Sequence, residues 1–283
     1  MALPLHATTG ERVWHYTFLA ICVLIFMFLI IPILVIIPLS FNTQPYFTFT
    51  PEMLSLDPAG YSTRWYESFF NDSNWQKAVK NSIVIAIFST IISTFLGTLA
   101  ALGLSQKDFP FKTTIMGILI SPMVVPLIIS AAGMFFFYAR VNLLGTHLGV
   151  ILAHAALATP FVVITVTATL TGFDHSLTRA AANLGSSPTN TFFRITVPLI
   201  TPGVISGALF AFITSFDEVV VVLFVGSVHQ RTIPWAMFSG IREEISPTIL
   251  AVATLLICFS IVLLFLVELL RRRNEKLRGI TPH

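Results

Sequence analysis

Charged side chains are scarce in this sequence. Only 10% of the 283 residues are Asp, Glu, Lys or Arg, whereas 55% are hydrophobic, and an average soluble domain carries about 25% charged residues. That deficit excludes an ordinary soluble domain and predicts a membrane protein. The formal net charge of +3 is spread over the ends of apolar segments, which argues against nucleic-acid binding.

Several signatures of chemistry are also absent from the sequence. Cys22 and Cys258 lie in apolar segments without a pairing pattern or the Cys/His spacing of a metal site. No Gly-x-x-x-x-Gly-Lys-Ser/Thr phosphate loop occurs, so the chain is not expected to hydrolyse ATP. No HExxH or Ser/His constellation lies in the apolar segments, where His154 is expected to be a packed polar residue. We therefore expect neither an enzyme nor a metal or cofactor site.

Long hydrophobic runs are abundant. A helix needs about 20 apolar residues to cross roughly 30 Å of hydrocarbon. The first run is longer than a signal-peptide core, so it is predicted to remain as a membrane helix. The sequence predicts a single all-α membrane domain over residues 1–283. Its six transmembrane helices are expected at 15–40, 79–104, 113–138, 147–170, 199–226 and 248–270.

Lys and Arg residues predict the orientation, because they favour the cytoplasmic flanks of membrane helices. With the N-terminus inside, ten basic residues fall in cytoplasmic regions and six in outer regions. Both termini are therefore predicted to be cytoplasmic. Residues 41–78 become a periplasmic loop, 171–198 a cytoplasmic loop and 272–283 a cytoplasmic tail.

Two carboxylates, Asp217 and Glu218, lie well inside a predicted span. A charge facing lipid at mid-bilayer costs about 3 kcal/mol, so such residues usually face a cavity, a partner helix or a transport path. On a continuous helix the pair shares one face with small and polar residues, which is expected to line a wet path or touch another backbone closely. That face holds Gly203, Gly207, Phe210, Ala211 and Thr214. A cation path and a salt bridge to a neighbouring helix are both open readings.

The predicted cytoplasmic loop carries a recognisable motif. Ala180, Ala181 and Gly185, followed by "FFRITVPLITPG", resemble the EAA loop of permease subunits of bacterial ABC importers. The resemblance implies a type I importer permease whose coupling loop docks into a groove on a separate ATPase, which would hold ATP and Mg²⁺. Arg179 stands where the family has Glu. Either the ATPase supplies a compensating acid or Asp174 supplies the carboxylate from one helical turn away.

Most of the chain is similar to the second permease subunit of the spermidine/putrescine branch of these importers. The similar stretches are "GYSTRWYESFF", "GFD" before the coupling loop, "AFITSFDEVVVVLFVGS" and "SPTILAVATLL". The resemblance implies a substrate path with Trp65 and Asp217, and Glu218 stands where the family often has a second Asp. Thr214 and Phe210 join this predicted path because they share the face of Asp217. For Trp65, an interfacial anchor is the alternative role.

The resemblance also implies the assembly and the cargo. The partners would be a homologous permease in a heterodimer, two ATP-binding subunits and a periplasmic substrate-binding protein, in the lipid of the bacterial inner membrane. Carboxylates and aromatic faces suit a polyamine. An opine, an amino-acid derivative or another small solute is the alternative cargo. A secondary cation transporter or channel is the more distant alternative, but no internal repeat of the kind common in secondary transporters is found.

Overall fold

A computed structural model describes residues 8–106, 108–243 and 246–277 of the chain. The described residues are helical apart from turns, bends and one isolated antiparallel bridge between Asn42 and Tyr61. The predicted all-α class is confirmed.

Thirteen α-helices lie within the described residues, together with short 3-10 segments and one π-helical turn at Phe192–Thr196. The α-helices are α1 Thr9–Leu39, α2 Pro51–Leu54, α3 Arg64–Asn71, α4 Ser73–Leu104, α5 Lys112–Val124, α6 Leu127–Arg140, α7 His147–Thr171, α8 His175–Asn183, α9 Pro188–Thr191, α10 Val197–Phe216, α11 Val220–Val225, α12 Ile233–Glu243 and α13 Thr248–Leu277.

The chain divides into two compact units. The first takes the described residues of Met1–Asp72 and Glu243–Phe265, and the second takes those of Ser73–Arg242 and Leu266–His283. The first unit therefore holds α1 to α3 and most of α13, while α4 to α11 and nearly all of α12 belong to the second.

The predicted spans agree with the helices at five places. Five helical segments are long and apolar enough to cross a membrane, and α5 with α6 makes a sixth candidate if the bent pair counts as one span. Residues 272–277 of the predicted tail continue α13, and 278–283 lie outside the described residues. Which side of the membrane each loop occupies stays a prediction.

The predicted third span, 113–138, is not one straight helix. α5 and α6 meet at an angle of 102° across a break at Val125 and Pro126. Proline has no N–H and disfavours helical geometry at the residue before it. Val125 is accordingly extended, with φ −68° and ψ 133°. The expectation of a single continuous helix is wrong here, and the pair forms a broken span or a re-entrant segment.

The core of the second unit is built around α7. In the most apolar stretch of α7, 67% is buried within the protein, whereas 0% of the corresponding stretch of α1 is buried. Gly207 of α10 lets that helix approach α7 closely, since a Cβ there would lie 2.6 Å from Thr165 Oγ1 and 3.0 Å from Val162 Cα. Small residues at such contacts are how membrane helices pack.

Candidate functional site

The two carboxylates of the predicted fifth span lie at a break between two helices. α10 ends at Phe216, Asp217 caps its C-terminus by donating its N–H to Ile213 O over 3.0 Å, and α11 starts only at Val220. The prediction of one helix over 199–226 is therefore wrong at this point. Asp217, at the C-cap of α10, can still be placed on a face of that helix by helical spacing. Glu218 lies beyond the end of α10, so the predicted shared face does not extend to it.

Glu218 satisfies the start of the next helix. Its Oε1 accepts the backbone N–H of Val221 at 2.9 Å, and only 9% of the residue is exposed. The first N–H groups of a helix have no partner inside the helix, so an acceptor side chain just before them stabilises the helix start. The run Val219–Val222 is β-branched and a weak helix former. A run that favours the helix only weakly, together with a carboxylate that caps a new helix start, explains why the helix breaks here.

Asp217 differs from its neighbour because its side chain is exposed. Its carboxylate makes no hydrogen bond or ion pair with any residue that the structure describes. Of the two acidic residues, Asp217 is thus the one whose charge is available to a ligand or to a partner chain.

The glycine-rich face of α10 packs against α7. Its buried members recur every four residues, at Gly203, Gly207, Ala211 and Ser215. Phe210 and Thr214 lie at the edge of this contact: Phe210 is 50% exposed and stacks on Phe161 of α7, with ring centroids 6.2 Å apart, and Thr214 is half-buried. Close contact with another helix is thus observed at the glycines, and the path role of Phe210 and Thr214 stays a prediction.

His154 fixes the end of α10 to α7. The imidazole is 1% exposed, and its Nδ1 lies 2.9 Å from Ser215 Oγ and 3.1 Å from Ser215 O. Nε2 has no hydrogen-bond partner among the described residues. The residue is a packed polar group of α7 that binds Ser215, two residues before Asp217 on the chain.

Trp65 belongs to the first unit, where its polar and aromatic groups are engaged. The indole N–H donates to Asn42 O at 2.7 Å, and the guanidinium carbon of Arg64 lies 4.1 Å from the ring centroid. Asn42 is itself buried, and its amide donates to the carbonyls of Tyr46 and Thr48. These contacts fold residues 42–65 around Asn42, and the Arg64 guanidinium covers one face of the indole.

The coupling loop is a compact pair of short helices. α8 ends in a Schellman motif, in which Ser186 N–H donates to Ala181 O and Gly185 N–H to Ala182 O, each at 3.0 Å. Gly185 has φ +79° with open space around it, so the position needs glycine for its backbone angle. Leu184 is 88% exposed. The loop therefore presents an apolar side chain at its tip.

Charges on the coupling loop are not paired as the EAA pattern would have them. Asp174 caps α8: its Oδ1 accepts the Ser176 N–H at 2.8 Å and its Oδ2 accepts the Ser176 hydroxyl at 2.7 Å. These hydrogen bonds hold the pKa of Asp174 below its ordinary value, with a smaller contribution from Arg179. Arg179 and Ala180 are exposed and Ala181 is half-buried. Asp174 thus serves the helix start, and its hydrogen bonds within the described residues go to Ser176 and not to Arg179.

Comparison with known proteins decides the class. The family described as the binding-protein-dependent transport system inner membrane component matches residues 93–276, more than half of the chain. The chain belongs to this family of permeases. It is the membrane component of such a system, a multi-pass protein of the bacterial inner membrane, and not the ATPase, as the sequence predicts.

Relatives of the permease include two proteins that are named as polyamine permeases. The spermidine/putrescine transport system permease protein PotC of Haemophilus influenzae is 32% identical over 251 residues, which cover 89% of this chain and 95% of that protein. The putrescine transport system permease protein PotI of Escherichia coli is 33% identical over 273 residues, which cover 92% of each chain. The resemblance to the spermidine/putrescine type is confirmed.

Solved structures show the same fold for the permease. A bacterial ABC transporter involved in the import of the acidic polysaccharide alginate gives a TM-score of 0.70 at 15% identity, covering 96% of this chain and 99% of that one. The MetNI methionine ABC transporter gives a TM-score of 0.54 at 19% identity, covering 72% of this chain and 95% of that one. The architecture of ABC importer permeases is thereby confirmed.

Sequence reasoning missed two features of the permease, one in each unit. The cap that Glu218 places on α11 could have been found from the carboxylate that stands three residues before Val221 in a β-branched run. The hydrogen bonds of Asn42, from its amide to the carbonyls of Tyr46 and Thr48 and from the Trp65 indole to its own carbonyl, have no sequence signal, because only the fold brings these groups together.

Proposed function

We propose that the permease forms half of the translocation path for a small organic cation, in the first place a polyamine such as putrescine or spermidine. The observation that carries this proposal is the free, exposed carboxylate of Asp217 at a helix break inside an apolar segment. The names of PotC and PotI, relatives at 32% and 33% identity, support the same cargo.

Roles for the path residues follow from their surroundings. Asp217 would meet an ammonium group of the cargo, and Phe210 and Thr214 would line the approach along α10. Glu218 keeps a structural role as the cap of α11, since its carboxylate is buried and engaged. Trp65 organises the outer segment and is a poorer cation contact, because Arg64 already covers one face of its ring.

The permease would be driven by a separate ATPase. In this proposal two ATP-binding subunits hold ATP and Mg²⁺, a homologous permease completes the membrane channel, and a periplasmic binding protein delivers the cargo. The loop of α8 and α9 would be the docking element for one ATPase, with Leu184 in an apolar groove and Arg179 beside an acidic residue of that subunit.

Reconstituted transport tests the proposal. The complete importer in liposomes should accumulate radiolabelled putrescine only with ATP on the cytoplasmic side, and the accumulation should stop when the phosphate-loop lysine of the ATPase is replaced by alanine. Uptake driven by a proton gradient alone would refute an ATP-driven importer. Strong competition by an opine or an amino-acid derivative, with none by spermidine, would instead refute the polyamine cargo.

Charge exchange tests the docking loop. Arg179→Glu, which restores the residue of the family pattern, should reduce co-purification of the ATPase, because an exposed Arg would be paired with an acid on that subunit. A Lys placed at that acid should restore it. The exposed Lys112→Glu serves as the control for a change of the same sign at the start of α5. Unchanged co-purification of Arg179→Glu would show that this position lies outside the contact.

A further inference from the structure

A cavity of about 520 Å³ opens between the start of α4, the start of α7 and the segment that follows α11. All of its lining residues belong to the second unit. Its size lies within the range of small-ligand pockets, about 300–1,000 Å³. The predicted topology places it on the periplasmic side. Neither the transport path nor the coupling loop uses these residues.

The charge of this cavity has one sign. Lys77, Lys80 and Arg231 line it together with His147 and His229, and its nine lining residues include no carboxylate. Lys77 and Lys80 are exposed and, three residues apart on a helix, project from neighbouring positions of one face. None of the three basic side chains forms an ion pair with a residue that the structure describes. The cavity is therefore an uncompensated positive site.

Hydrogen bonds hold the wall of the cavity in place. Asn81 is buried, and its amide nitrogen donates to the carbonyls of His229 at 2.8 Å and Arg231 at 2.9 Å. Asn81 Oδ1 lies 3.1 Å from His147 Nε2, and the other ring nitrogen lies 3.3 Å from Gln230 Nε2, which fits the tautomer protonated at Nε2. The segment from His229 to Arg231 is thus tied to two helices.

The position of Arg231 is further fixed by an aromatic ring. Its guanidinium carbon lies 4.2 Å from the centroid of Trp235. A guanidinium so stacked keeps its N–H donors for a planar acceptor such as a carboxylate. The cavity combines this guanidinium with the ammonium groups of Lys77 and Lys80.

We propose that this basic cavity receives acidic side chains of the periplasmic binding protein when it docks on the permease. The inference rests on the proposed function, which supplies that partner. A cationic cargo is excluded as the occupant, because three positive charges without a counter-charge repel it. Complementary charge on a protein surface accelerates docking and fixes its register, which is what a rigid basic recess at a predicted outer surface can provide.

The test measures binding of the importer's own periplasmic protein to the complete complex in nanodiscs of uncharged phosphatidylcholine. Lys77→Glu with Arg231→Glu should raise the dissociation constant at least tenfold at low salt. Arg140→Glu, an exposed basic residue at the end of α6 outside the cavity, should change it less than twofold. The neutral variants Lys77→Gln and Lys80→Gln should weaken binding less and flatten its salt dependence, and they guard against misfolding of the reversed-charge variant.

Three outcomes would overturn the inference. The first is an unchanged dissociation constant in all cavity variants. The second is an effect confined to nanodiscs that contain phosphatidylglycerol, which would mean a lipid headgroup site. The third is inorganic phosphate binding lost in the variants while protein binding persists, which would mean a free-anion site. Restoration of affinity by a Lys in place of an acid on the binding protein would support docking.

The same preparations separate this inference from the proposed function. Co-purification of the ATPase and the basal ATP hydrolysis of the complex do not depend on the cavity, so they should be unchanged in every cavity variant. Intact ATP hydrolysis with unaltered docking would remove the inference and leave the importer assignment standing. Failure of the ATPase to associate with wild-type permease would remove both.

Discussion

Two helix breaks in the second unit, one at Gly185 and one at Asp217–Val219, are made by different chemistry. The first is a glycine turn closed by backbone hydrogen bonds from Gly185 and Ser186 to the last turn of α8. The second has no glycine and depends on the carboxylate of Glu218. A backbone turn is fixed by local sequence, whereas a side-chain cap inside an apolar segment needs a buried polar group with a partner. The comparison predicts that the second break is the more fragile.

Removal of the Glu218 carboxylate should have the largest effect on stability. Glu218→Ala leaves a buried N–H of α11 without its acceptor, which costs about 2 kcal/mol. The measurement is the thermal unfolding of the purified permease in detergent. Asp217→Ala, which removes an exposed carboxylate next to it, should change stability by less than about 0.5 kcal/mol. Equal losses of stability in the two variants would contradict a structural role for Glu218 that Asp217 lacks.

A smaller effect is expected at the glycine turn. Gly185→Ala forces a residue with a Cβ into the left-handed region, at a cost of about 1 kcal/mol, with no steric clash to add to it. Faster amide hydrogen exchange over α8 and α9 would report it, together with weaker retention of the ATPase. The matched control is Gly117→Ala, an open helical position without positive φ, which should be neutral or slightly stabilising. Unchanged exchange in Gly185→Ala would show that the turn tolerates a side chain.

The smallest effect concerns the start of α8. The pKa of Asp174 is lowered by its hydrogen bonds to Ser176, so its contribution to the helix start is complete above the unfolded aspartate pKa of about 3.9 and is lost as pH falls through the lower folded value. Amide exchange at Ser176, corrected for its intrinsic rate, should stay constant from neutral to mildly acidic pH and rise only in strong acid. Asp174→Asn should remove that acid-dependent step, and a step that remained would assign it to another group.

The same contrast explains what the sequence could predict. Five spans follow from hydrophobic length, and the coupling loop follows from the spacing of Ala180, Ala181 and Gly185; both are features of one continuous stretch of sequence. The 102° bend at Pro126 was readable in principle, since proline disfavours helical geometry at the residue before it. The break at Asp217 was not, because apolar length gave no reason to end α10 before Gly226.

Residues that act through distant partners were also beyond the sequence. The basic cavity joins Lys77 and Lys80 to Arg231, about 150 positions away, through the amide of Asn81. Trp65 reads as an aromatic near the membrane interface, yet its neighbour Arg64 and the carbonyl of Asn42 decide what its ring can bind. Such groupings require the fold.

The role of Asp217 as the contact for a cationic cargo is tested most directly by the rate of ATP-driven putrescine uptake. The reconstituted importer carries Asp217→Asn in this measurement. Asp108→Asn, an exposed acid in the predicted inner loop, is the matched control. Uptake by Asp217→Asn should be at least tenfold lower, with normal melting temperature, normal subunit assembly and normal uptake by the control. Wild-type uptake by Asp217→Asn would contradict this role, and so would loss of the assembled complex, which would make Asp217 a structural residue.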